Sequence, residues 1–206
     1  MRTATDKLEL AVTDSLVLPK TSGVGIKVDV DTPAYGWRDI IGNLNVRGTG
    51  ANDPTFAIYT GTAMRQYQFS ATIMMEVFFV FHIPHDYVPG TDIYLHMHWS
   101  NAAAVPGTVI WGFEYAFAKG FNQAPFPAFQ TVTATQNSPA TRYQHMVAET
   151  AAITIAALEV DGLLLVRAYR DATVDTCTDA VFGHTADVHY QSSNMATKNK
   201  APSFYA

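Results

Sequence analysis

At 206 residues and 22.5 kDa the chain is long enough to bury one sizeable core. Only 15% of its residues are charged, against roughly 25% in ordinary soluble domains. The net charge of −5 excludes a basic footprint for nucleic acid or anionic lipid. The one cysteine, Cys177, excludes an internal disulfide and any multi-cysteine zinc site. Such a charge-poor surface predicts that part of it is covered by other subunits.

The opening residues, Met1-Arg2-Thr3-Ala4-Thr5-Asp6-Lys7, lack the apolar core of a secretory signal, so synthesis and assembly in a reducing cytoplasm are expected. Residues 1–25 read as an N-terminal arm. Leu8, Leu10, Leu16 and Leu18 are scattered among polar residues, and Ser22-Gly23-Val24-Gly25 forms a joint. A frayed terminus and an arm that orders against a neighbour both fit.

From residue 26 the dominant signal is alternation with period two. Ile26, Val28 and Val30 alternate with Lys27, Asp29 and Asp31. Strands are predicted over Trp37–Val46, Phe56–Thr60 and Met64–Phe69. Val77–Phe81 is apolar on both faces and predicts a central strand buried on both sides. The run around Thr72–Ile83 is too short to span a bilayer and is broken by Glu76 and His82. Pro84 ends it, and a turn follows to Gly90. In Asp92–Trp99, Ile93, Leu95, Met97 and Trp99 point one way, while Tyr94, His96 and His98 point the other. Val109–Phe117 repeats the pattern with Val109, Trp111, Phe113, Tyr115 and Phe117 on one face. Ser100–Gly107, closed by Pro106-Gly107, is expected to join these two strands as a hairpin.

Further strands are predicted over Phe129–Thr135, Arg142–Val147, Leu163–Tyr169 and Ala186–Gln191. The alanines of Ala148–Val160 would also suit one short helix. The sum is an all-β antiparallel sandwich or jelly roll over 26–191, with a C-terminal tail over 192–206.

Gly90-Thr91-Asp92-Ile93-Tyr94-Leu95-His96-Met97-His98 resembles the first half of the cupin metal motif, a glycine, five residues and His-x-His. Two histidines at i and i+2 share a strand face and can chelate one ion. The glutamate that should follow is replaced by Ala102 and Ala103. Glu114 across the expected hairpin and the distant His189 would have to substitute. An uncompleted pair of this kind more often serves as hydrogen-bonded polar residues on a wet or subunit-contacting face. No metal ligand, cofactor-binding residue or catalytic residue is therefore assigned. Cys177 sits between Asp175 and Asp179, whose charge would blunt a thiolate. Glu76, Glu114, Glu149 and Glu159 offer no spacing that singles out a catalytic pair. Phe121, Phe126 and Phe129 with Pro125 and Pro127 form an aromatic loop whose rings are either tucked under it or held by a partner, and the prolines favour an extended docking segment.

The run His82-Ile83-Pro84-His85-Asp86-Tyr87-Val88-Pro89-Gly90-Thr91-Asp92-Ile93-Tyr94-Leu95-His96-Met97-His98-Trp99 resembles a signature of virion-associated proteins of tailed bacteriophages. Tyr35-Gly36-Trp37-Arg38-Asp39, Trp111-Gly112-Phe113-Glu114-Tyr115 and Asp187-Val188-His189-Tyr190 resemble the same group in the same order, so the likeness covers about residues 35–191. It implies a jelly-roll module that trimerises on the particle as capsid cement or as part of a tail fibre. With one sandwich and no repetitive shaft, the expectation is a homotrimeric decoration protein bridging major capsid subunits. The resemblance implies no enzyme activity, and it gives His96 and His98 a place near a trimer axis or capsid contact. A tail-fibre or receptor-binding module is the alternative, and a cupin-like metal protein a more distant one.

Overall fold

A computed structural model describes residues 35–193, apart from 49 and 62. The arm over 1–25, the alternating stretch 26–31 and most of the 192–206 tail lie outside the described residues. Ten strands follow: β1 (Gly36–Gly42), β2 (Thr55–Ile58), β3 (Arg65–Phe69), β4 (Met75–His82), β5 (Tyr94–Asn101), β6 (Thr108–Ala118), β7 (Gln130–Asn137), β8 (His145–Glu149), β9 (Leu163–Arg170) and β10 (Val181–Ser192). No helix occurs among the described residues, and every strand pairing is antiparallel. The chain is an all-β sandwich, as expected. Ala148–Val160 holds only the end of β8 and irregular chain, which a bridge from Ile153 to Ile93 fastens down.

One sheet has six strands and the other four. The first runs β2-β3-β10-β5-β8, with β1 also paired to β10. Strand β10 is long enough to pair with β3 near Val181–Gly183 and with β1 from Ala186 to Ser192, while β5 lies along its other side. The second sheet runs β4-β9-β6-β7.

Alternation builds the core between the sheets. Leu95, Met97 and Trp99 of β5 face Trp111 and Phe113 of β6 and Val77, Phe79 and Phe81 of β4, all out of water. Burial of one such side chain stabilises the fold by roughly 2–3 kcal/mol before entropy is counted. The Trp99 indole N–H donates to Gln136 Oε1 at 2.8 Å, so this ring carries no orphaned donor into the core. Phe69 meets Trp111 edge to face at 5.0 Å.

Two expectations about β4, β5 and β6 need correction. Ser100–Gly107 is not a hairpin, because β5 belongs to the six-stranded sheet and β6 to the four-stranded one. Either topology turns the large side chains of both strands into a core, so alternation alone does not separate them. The crossing passes through Gly107, whose φ of 141° suits glycine and whose absent side chain admits the Cys177 backbone at 2.7 Å from a Cβ position. Nor is β4 a central strand. It lies at an edge of its sheet, where Phe78 bridges to Asn45 and the Glu76 N–H donates to the Asn52 carbonyl on its other side. Its inner face is buried, whereas Val80 on its outer face is 59% exposed.

Two polar fixtures tie the sandwich together. Arg170 of β9 is fully buried, pairs with Asp175 at 2.6 Å and donates to the carbonyls of Cys177, Asp179 and Phe69. It thereby links the four-stranded sheet to β3 of the other. Asp86 accepts from Tyr190 at 3.0 Å and Ser192 at 2.6 Å, and Arg38 lies 3.1 Å away. Burial, with the neighbouring Asp86 carboxylate, pushes the Tyr190 phenol up to about 12. The Pro84–Asp92 turn is thus anchored to the end of β10. Its Gly90 takes φ of 82°, and the Tyr87 hydroxyl donates to the Thr91 carbonyl at 2.6 Å.

Candidate functional site: a histidine and carboxylate face

The outward side of the six-stranded sheet gathers five of the chain's seven histidines: His96 and His98 from β5, His145 from β8, and His184 and His189 from β10. Register explains how they meet. Asp187 stands directly opposite His96 across the β10–β5 ladder, Glu149 stands opposite His96 on β8, and Asp39 of β1 stands opposite His189. A bulge at His184 shifts the register between Gly183 and Thr185. The extra residue lets Phe182, Thr185, Asp187 and His189 share the outer face, although strict alternation from Phe182 would turn Asp187 and His189 into the core.

His96 is 2% exposed, so it is not on a wet surface. Its Nε2 lies 2.5 Å from Glu149 Oε2, and its Nδ1 lies 3.7 Å from Asp187 Oδ1. The His96 and His189 rings approach edge to face with centroids 3.7 Å apart. His189 Nδ1 is 3.6 Å from Glu149 Oε2, and its Nε2 contacts Asp39. Trp37 leans on His189 from outside, its centroid 6.5 Å away, and packs edge-on against Tyr94. His98 reaches Asp187 through Nε2 at 3.1 Å, while its Nδ1 lies 2.8 Å from His145 Nε2. Asp187 is 4% exposed, yet its Oδ1 accepts no hydrogen bond.

At the far end of the face His184 Nε2 is hydrogen-bonded to Ser100 Oγ at 2.9 Å, and Ser100 Oγ lies 3.1 Å from the Tyr59 hydroxyl. Desolvation, helped by the neighbouring His145 and His98, lowers the His184 pKa from 6.5 to about 4. Desolvation also lowers that of His189.

Of the residues weighed from sequence, His96, His98 and His189 come together and Glu114 does not. Glu114 lies in the four-stranded sheet, 2.9 Å from Arg167, so it cannot supply the missing cupin ligand. Ala102 and Ala103 follow β5 in the loop that leaves the face. Cys177 is buried, its thiol directed at the Asp179 carbonyl. Phe121, Phe126 and Phe129 are 55%, 43% and 56% exposed. Sequence reading missed Asp187, Asp39, His145 and His184. The signal available was a second i, i+2 pair, Asp187-x-His189, but the bulge hides which way it points.

No family model matches the chain, and no curated protein matches it. Among solved structures it is similar to TmCBM61 in complex with beta-1,4-galactotriose, at 7% identity and a TM-score of 0.29, covering 75% of this chain and 86% of that one. It is also similar to Eiger TNF from S. frugiperda, at 8% identity and a TM-score of 0.27, covering 79% of this chain and 98% of that one. Likenesses this low in TM-score bear on neither ligand nor partner.

Proposed function

We propose that the chain is a structural protein of a tailed-bacteriophage particle: a homotrimeric capsid cement that bridges neighbouring major capsid subunits, assembles in the host cytoplasm and catalyses no reaction. The observation that carries this reading is the outer face of β4 and its surroundings. Phe78, Val80 and Leu165 with Phe129 line an apolar groove, bordered by Glu114 and Arg167. Val80 and Phe129 are exposed, and apolar side chains open to water are stabilised when a neighbour covers them, by about 25 cal/mol per Å² of apolar area. The 15% charged fraction supports the same reading, as does the resemblance across residues 35–191.

Cement works by linkage. A protein that binds only the assembled shell stabilises that shell, and many modest contacts sum over the particle. The free protein should sediment as about three chains, the closed symmetric form of such a module. Added to shells that lack it, it should raise their disruption temperature, and immunogold label should spread evenly over the heads. Label confined to the tail tip, with no effect on head stability, would overturn the cement reading in favour of a receptor-binding module.

A further inference from the structure

We infer that His96, Asp187 and His189 bind one divalent transition-metal ion, which rivets β5 to β10. The two-histidine, one-carboxylate set is borderline in softness and suits zinc better than calcium or magnesium, which demand oxygen.

One ligand atom from each residue falls within 4.8 Å of the others. His96 Nδ1 and Asp187 Oδ1 are 3.7 Å apart, close to the roughly 3.4 Å between neighbouring ligands of a tetrahedral ion with bonds of about 2.0–2.1 Å. Small rotations of three side chains on adjacent strands would close the remainder.

Asp187 supplies the independent sign. Its buried Oδ1 makes no well-directed hydrogen bond, although His98 Nε2 stands 3.1 Å from it, and native structures rarely leave such an oxygen so. A cation between Asp187 and the two rings would satisfy it. The surroundings are also those of a metal site. Glu149 engages Nε2 of His96, leaving Nδ1 toward Asp187, and Asp39 engages Nε2 of His189, leaving Nδ1, now 3.6 Å from Glu149 Oε2, as the nitrogen that would ligate. His98 is no ligand in this arrangement. Its Nε2 stands 3.1 Å from the same Asp187 Oδ1. The site therefore differs from a His-x-His chelate, because its second histidine comes from β10.

The test uses the full chain, stripped by chelator dialysis and titrated with Zn²⁺ by calorimetry and with Co²⁺ by visible absorption. One ion per chain is expected, with an upward shift in melting temperature and a cobalt spectrum of low coordination number. Asp187→Asn and His189→Gln should each weaken binding by about 100-fold or more, and Asp39→Asn by about 10- to 100-fold. His82→Gln should leave binding unchanged, because that ring lies elsewhere, 2.7 Å from Asp161. His189 is only partly buried, so its variant decides the matter if Asp187→Asn does not fold. Absence of binding by the wild-type chain would overturn the site. So would binding that survives both ligand substitutions or is lost in His82→Gln. The titration does not depend on where the protein sits in a virion.

Discussion

On the outside of the six-stranded sheet, His96 lies between Glu149 and Asp187 within reach of both, and Asp187 is shut away from water. On the outside of the four-stranded sheet, Val80, Leu163 and Phe129 stand open, and the charge is drawn into one knot, Glu76 with Arg47 and Arg167 and Arg167 with Glu114. The usual arrangement is reversed, since polar groups are hidden on one face and apolar ones displayed on the other. Both faces back onto the same core, so folding alone does not require either pattern. The outward positions of a sandwich are where selection for something other than folding is recorded. As proposed above, they serve different tasks, holding an ion on one side and meeting a partner on the other.

The comparison breaks most completely at the fixture both faces share. Arg170→Ala should destabilise the fold by about 3–5 kcal/mol, because it leaves Asp175 buried without its partner and frees three carbonyls. Chemical denaturation should show both sheets lost in one transition. A transition that splits in two would mean the sheets are stable apart.

Glu76→Ala addresses the apolar face alone. Glu76 is 5% exposed and is engaged by Arg47 and Arg167. Burial works to lower the Arg167 pKa, but pairing with Glu76 and Glu114 outweighs it and holds the guanidinium above its ordinary value. Loss of the carboxylate should cost about 2 kcal/mol in a denaturant melt and leave Zn²⁺ binding untouched. Equal loss of zinc affinity would show that the faces are coupled.

His184 sharpens the polar side. Above pH 6.5 the ring is neutral folded and unfolded. As pH falls, the unfolded ring takes a proton that the folded ring refuses until about pH 4. Stability therefore drops across that window and levels below it. We expect a loss of about 1–2 kcal/mol, reduced from the full-burial figure because the ring is partly open to solvent. The pH profile of His184→Gln should be flatter by that amount, and an unchanged profile would mean the ring protonates freely when folded.

Val80→Asp should change monomer stability least, within about 0.5 kcal/mol, since the side chain is 59% exposed. Sedimentation should nonetheless show self-association weakened. Unaltered association would move the assembly surface off β4.

Sequence reading recovered the strands because period two is enforced by the core: Leu95, Met97 and Trp99, or Trp111 and Phe113, have nowhere else to go. It did not recover which sheet a strand joins. The chain from Trp99 to Trp111 reads equally well as a hairpin and as a crossing, and what distinguishes them, the ladders to β10 and β9 and the packing of Gly107 on Cys177, lies far apart in sequence. The histidine face was half visible for a similar reason. His96-x-His98 can be read directly, but its partners Glu149 and Asp187 arrive through ladders on both sides of β5, and Asp187 faces outward only through the bulge at His184.

The position of β10 has a consequence for the order of events during synthesis. This strand holds β3 and β1 on one side and β5 on the other, and Gly36 finds its partner only at Ser192. A growing chain that has emerged through β9 can close the four-stranded sheet, whose strands all lie within Met75–Arg170. Its other sheet then remains divided, with the β5 edge bare and Arg170 still without the Cys177 and Asp179 carbonyls. Until β10 arrives, the nascent protein exposes an unpaired strand edge beside an apolar face, the condition under which chains aggregate. Folding of the six-stranded sheet should thus be late and all at once, set by closure of long loops rather than by local pairing.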